Sequence, residues 1–114
     1  MNFISLWAGL IEPPNTLPAH LNLLYTSLDD STFSRDPEVC AERERVPVVE
    51  LLEPFSLGEA FLSEATAAAE SQGLRLANTV VGVYTQYAPN AKAMDGCELR
   101  FVGTFPDAQP AHAA

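Results

Sequence analysis

A chain of 114 residues has room for one domain around a single core, and folding at this length buries roughly 65% of the unfolded surface. Six Lys and Arg stand against fifteen Asp and Glu, a formal net charge of −9, so the surrounding field repels phosphate and argues against direct nucleic-acid binding. No apolar run approaches the length needed to span a bilayer.

Asn2 to Ala8 alternates as a strand, with Phe3, Ser5 and Trp7 on one side and Ile4, Leu6 and Ala8 on the other. The run lacks a basic leader and is read as a first strand rather than a signal peptide. Gly9 and the Pro13-Pro14 pair stop it. Thr16 then stands where an N-cap belongs, Pro18 sits in the first turn, and Leu17, Leu21, Leu24 and Leu28 recur at helical spacing. This predicts an amphipathic helix ending near Asp29. From Ser31 to Arg45 the periodicity fades while charges of both signs crowd in, the pattern of a loop with room for one helical turn. VPVVELL, Val46 to Leu52, is expected to be a strand, with Pro47 placing it at an edge or marking its first residues. Ser56 and Glu59 form a capping box that opens a second helix. Its buried stripe is Leu57, Phe61, Ala65 and Ala68, and Gly73 is its C′ residue.

Two β-rich runs follow, Leu76 to Tyr87 and Cys97 to Phe105, separated by a polar connector and expected to pair as an antiparallel hairpin. In the second run Leu99, Phe101 and Phe105 share one face and Glu98, Arg100, Val102 and Thr104 the other, which suggests a sheet covered on one side only. Residues 106–114 hold no apolar side chain larger than alanine and are expected to form a flexible tail to a single domain spanning 1–105. The order of elements predicts an α+β fold: a mainly antiparallel sheet of about four strands with two helices packed on one face.

Cys40 and Cys97 lie far apart without CxxC or Cys/His ligand spacing, so reduced thiols, a cytoplasmic setting and no metal site are expected. His20 and His112 have no Cys or acid at ligand spacing, and Ser5, Ser56 and Ser63 lack a nucleophile elbow. Neither a P-loop nor a dinucleotide-binding glycine pattern occurs. No catalytic set emerges, and neither an enzyme nor a cofactor is expected. Gly82 and Gly103 read as marks of a bulge or of close packing, and Trp7, Tyr84 and Tyr87 as core aromatics rather than a base-stacking platform.

The acids are more informative. Glu50, Glu53, Glu59, Glu64 and Glu70 fall in one stretch without a single Lys or Arg. A solvated helix face explains any one of them, but a surface of one sign would speed encounter with a basic protein. Asp29, Asp30, Asp36, Glu38, Glu42 and Glu44 form a second group, diluted by Arg35, Arg43 and Arg45. The candidate partner-binding residues are therefore Glu50, Glu53, Glu59, Glu64 and Glu70, with Asp36 and Glu38 behind them.

Three segments resemble the bacterial immunity protein 22 family. FISLWAG, Phe3 to Gly9, resembles its SLW-x-G opening, and STFSRD, Ser31 to Asp36, falls where the family has a Ser-x-Phe loop. NTVVGVYTQY followed by LRFVGTF resembles its closing hairpin, and the order and spacing agree over about residues 3 to 105. Pro13, Pro14 and Thr16 replace the acid-rich helix start usual in such proteins. The resemblance implies a non-enzymatic cytoplasmic protein that binds and neutralises a cognate toxin of a bacterial competition system. The acidity favours a nuclease toxin, whose phosphate-binding surface an anionic inhibitor can mimic. An alternative is a small-ligand or regulatory module with a pocket between helices and sheet.

Overall fold

The computed structural model describes residues 3–26, 35–55, 59–85 and 98–106. In chain order these form β1 (Phe3–Gly9), a 3-10 turn (Pro14–Thr16), α1 (Leu17–Thr26), β2 (Arg35–Pro47), α2 (Val48–Leu52), α3 (Glu59–Ser71), β3 (Leu76–Thr85) and β4 (Arg100–Pro106). The strands make one four-stranded antiparallel sheet in the order β2-β3-β1-β4. β1 is thus an inner strand, pairing with β3 from Phe3↔Thr85 to Gly9↔Thr79 and with β4 on its other edge.

The two C-terminal strands consequently do not form the expected hairpin: β1 lies between them. Two features favour this arrangement. The connector is much longer than a hairpin loop, and β1 is apolar on both faces, which suits a strand with neighbours on each edge and a layer on each side. Ile4, Leu6 and Ala8 point to one face and join Val80 and Tyr84 of β3, under Leu51 and Leu52 of α2 and Ala65 and Ala69 of α3. Trp7 points to the other and joins Val81, Val83 and Leu99, under Leu24 of α1. The α+β class holds, with the pair α2 and α3 on one face of the sheet. One-sided cover does not hold, because α1 closes the second face.

A bulge in β4 changes its facing. The register runs Ile4↔Phe105, Leu6↔Gly103 and then Trp7↔Phe101, leaving Val102 without a partner on β1. Phe101 and Phe105, expected on one face, are therefore on opposite faces. Phe101 packs on Trp7 with ring centroids 5.2 Å apart at 54°. Phe105 joins Ile4 and Val102 beneath the helix pair.

The stretch expected to be a loop, Ser31 to Arg45, carries β2 from Arg35 onward, and the expected strand Val46 to Leu52 is divided between the end of β2 and α2. Pro47, at φ −55° and ψ 135°, ends the ladder and leads into the helix. Val48, Leu51 and Leu52 are buried at spacings that satisfy a helical turn, and so short an apolar run does not distinguish helix from strand by period. β2 was hidden by its edge position. Its register passes from Ala41↔Thr79 to Val46↔Ala77, so Glu42, Arg43, Glu44 and Arg45 bulge out opposite Asn78. Charges, prolines and bulges are what an edge strand carries to discourage further pairing.

The second helix is close to its prediction. Ala65 is buried and Phe61 and Ala68 half-buried; Ser56 and Leu57 lie outside the described residues. Gly73 takes φ 81°, its N–H donates to Glu70 O at 3.0 Å, and the Leu74 N–H donates to Ala69 O at 2.9 Å. That is a Schellman termination, which needs the left-handed conformation glycine supplies. Thr16 immediately precedes α1, as expected, but its hydroxyl is turned to the preceding turn, donating to Pro13 O at 2.7 Å. The expected end of α1 near Asp29, Leu28 and the tail from 107 onward lie outside the described residues.

Where β1 ends, Asn78 takes over the backbone pairing. Its buried carboxamide accepts the Ile11 N–H at 2.7 Å and donates to Ile11 O at 2.8 Å. Nearby, Gly9 lies so close to β4's approach that a Cβ there would overlap the backbone oxygen of Glu98. Asn78→Ala strands a buried donor and a buried acceptor at once, and is expected to lower stability by roughly 2–4 kcal/mol in urea unfolding. A loss within ~0.5 kcal/mol would show that water replaces the carboxamide.

Candidate functional site

The layer formed by α2 and α3 sorts its side chains cleanly. α2 buries Val48, Leu51 and Leu52, which leaves Glu50 and, just past its end, Glu53 exposed. α3 buries Ala65 and Ala69 against the sheet, so Ser63, Glu64, Ala67 and Glu70 face outward. Four of the five acids singled out from the sequence thus share the outer surface of one helical layer. None of these four is ion-paired to a described residue. Glu59 opens α3 and Asp36 is the second residue of β2, but their side chains fall outside the described part of the structure.

Between the helices runs an open groove of about 320 Å³, lined by Val49, Leu62, Ser63, Thr66, Ala67 and Glu70. Sequence reasoning missed it. The signal was the recurrence of Leu62 with Thr66 and of Ser63 with Ala67 and Glu70, one step around the helix from the buried stripe. Thr66 Oγ1 is buried beside the groove without a hydrogen-bond partner among the described residues.

The other candidates have different roles. Glu38 is half-buried, and its Oε1 accepts the Tyr84 hydroxyl, fastening the edge strand to β3. Glu42 and Glu44 alternate with Arg43 and Arg45 on the exposed bulge, and Arg45 Nη2 lies 4.0 Å from Glu12 Oε1. With those side chains 58% and 64% exposed, this pair adds little stability. That region is of mixed sign, whereas the helical layer is of one sign.

His20 Nδ1 accepts the Glu98 N–H at 3.2 Å, linking α1 to the approach to β4. Ser5 is fully buried and shares a 2.8 Å hydrogen bond between its Oγ and Thr104 Oγ1. Trp7 and Tyr84 are core residues, as expected. His112, Cys97, Ser56 and Tyr87 lie outside the described residues. Among the described residues no cluster of three His, Cys, Asp or Glu could hold a metal, and no helix is long and apolar enough to cross a membrane. No protein-family model, curated protein or solved structure matches the chain.

Cys40 stands half-buried on β2 as a free thiol. Burial pushes its pKa up, and the Glu42 carboxylate adds to the rise, so less thiolate is present at a given pH than on an ordinary cysteine. With Cys97→Ser to leave one thiol, iodoacetamide at pH 8 is expected to modify Cys40 several-fold more slowly than a free cysteine peptide. Equal rates would contradict the shift.

Proposed function

We propose that this chain is an immunity protein: a non-catalytic inhibitor that binds a cognate bacterial toxin through the acidic face of α2 and α3 and neutralises it in the cytoplasm of the producing cell. The observation that carries the reading is the exposure of Glu50, Glu53, Glu64 and Glu70 on one helical layer with no described cation to neutralise them. Carboxylates held this way keep their field in solvent, where it attracts a basic surface over about a Debye length, roughly 8 Å at physiological salt. A nuclease toxin is the favoured target. Its substrate-binding surface must be cationic to hold phosphates, and an anionic helical layer can occupy that surface in their place. The resemblance of FISLWAG and of the β3 and β4 segments to immunity protein 22 supports the same reading.

The charges act mainly on encounter, so association kinetics with the product of the neighbouring gene, where the resemblance to immunity protein 22 implies the cognate toxin is encoded, test the proposal. Raising NaCl from 50 to 500 mM is expected to lower the association rate at least tenfold. Replacing Glu50, Glu53, Glu64 and Glu70 together by Gln lowers it about tenfold at low salt, with a smaller change in dissociation. An association rate indifferent to both changes would refute steering by this face.

A further inference from the structure

We infer that the groove between α2 and α3 receives an apolar side chain from a cationic helix of the bound partner. The inference rests on the acidic layer being the docking surface, and it adds the place of the anchor and the shape of the segment that carries it. Val49, Leu62 and Ala67 give the groove an apolar lining, and about 320 Å³ is room for a large aliphatic or aromatic side chain. Ser63 and Ala67 are exposed and small, so a partner backbone can come close to α3.

The backbone of this layer favours a helix as occupant. The Glu53 N–H donates to Val49 O and the Phe55 N–H to Leu52 O, each at 3.0 Å, while the C-terminal end of α3 is closed by the bonds that Gly73 and Leu74 donate to Glu70 and Ala69. An extended peptide laid here would find no row of free amides such as a sheet edge offers, whereas a helix arrives with its backbone already paired. Charge selects the helix further. Glu70 lines the groove, Glu50 follows Val49 in α2, and Glu64 follows Ser63 in α3. An apolar anchor flanked by Lys or Arg is the complement of that arrangement. The anchor supplies affinity by leaving water, and the cations supply register and encounter rate.

Two synthetic helices test this on the intact chain: a Leu/Lys peptide with leucines at i, i+3, i+4 and i+7, and the same peptide with every Leu replaced by Ala. Fluorescence anisotropy is read at 50 and 300 mM NaCl for the wild type and for Ala67→Trp and Ser63→Trp, each substituted at an exposed position and checked for folding by circular dichroism. The wild type is expected to bind the Leu peptide about tenfold more tightly than the Ala peptide. Either Trp variant loses that preference while keeping the weak, salt-sensitive binding of the Ala peptide. Equal binding of the two peptides by the wild type, or a preference that survives both Trp substitutions, overturns the groove inference and leaves the electrostatic reading standing. No salt-sensitive binding of either peptide overturns both.

Discussion

The backbone of Phe3–Gly9 is hydrogen-bonded along both edges, to β3 on one side and β4 on the other, while its side chains enter two separate cores. Neither core forms without it. Ile4, Leu6 and Ala8 complete the surface on which α2 and α3 sit, and Trp7 completes the one beneath α1. Because β3 and β4 both run antiparallel to β1, they are parallel to each other and must be joined by a crossover rather than a turn. The exit of β1 is fixed as tightly as its pairing: the Asn78 carboxamide continues the ladder to Ile11, and Gly9 leaves room for the carbonyl of Glu98.

This central strand also decides where charge can go. With both faces of the inner strands occupied by apolar contacts, the described acidic side chains lie on the helical exteriors, on the edge strand β2, and at Glu12 and Glu98 in the segments flanking β1 and β4. On β2 they alternate with arginines, and Glu38 is tied to Tyr84. On α2 and α3 no arginine or lysine intervenes. The result is an outer layer whose charges are exposed and of one sign, with a groove between its helices. Binding surfaces commonly combine these two elements, a field that brings the partner in and a recess that holds it.

Much of this was legible in the amino-acid order. The β1 run, the stripe of α3, its stop at Gly73, the solvent-facing Glu70 and the core placement of Trp7 and Tyr84 all follow from local periodicity and turn chemistry, which the tertiary fold leaves intact. What was not legible depends on neighbours. FISLWAG is apolar on alternate and intervening positions alike, a hint of an inner strand, yet nothing local says that it inserts between β3 and β4. The bulge at Val102 flips Phe105 relative to Phe101, and a one-residue slip of this kind leaves almost no trace in the alternation except Gly103 beside it. β2 looked like a loop because its charged bulge interrupts the pattern, and Val48 to Leu52 looked like a strand because five apolar-rich residues fit either period. Among the acids, Glu70 could be placed because the buried stripe of α3 fixes the opposite side; the exposure of Glu50 and Glu53 on the same layer could not, because the helix α2 that carries them there was read as a strand. The groove needed the packing of α2 on α3 to become visible.

The account reduces to the claim that α2 and α3 are the face this protein presents to a cationic macromolecule, with the sheet and α1 as the scaffold behind it. Hydrogen–deuterium exchange of the chain, alone and saturated with the product of the neighbouring gene, tests this most directly, since a docked partner slows exchange where it excludes water and suppresses opening. The account predicts new protection in Val48–Leu52 and Glu59–Ser71, with Leu17–Thr26 unchanged. Protection confined to α1 or to the outer edge of β4, with both acidic helices exchanging as in the free protein, would contradict it.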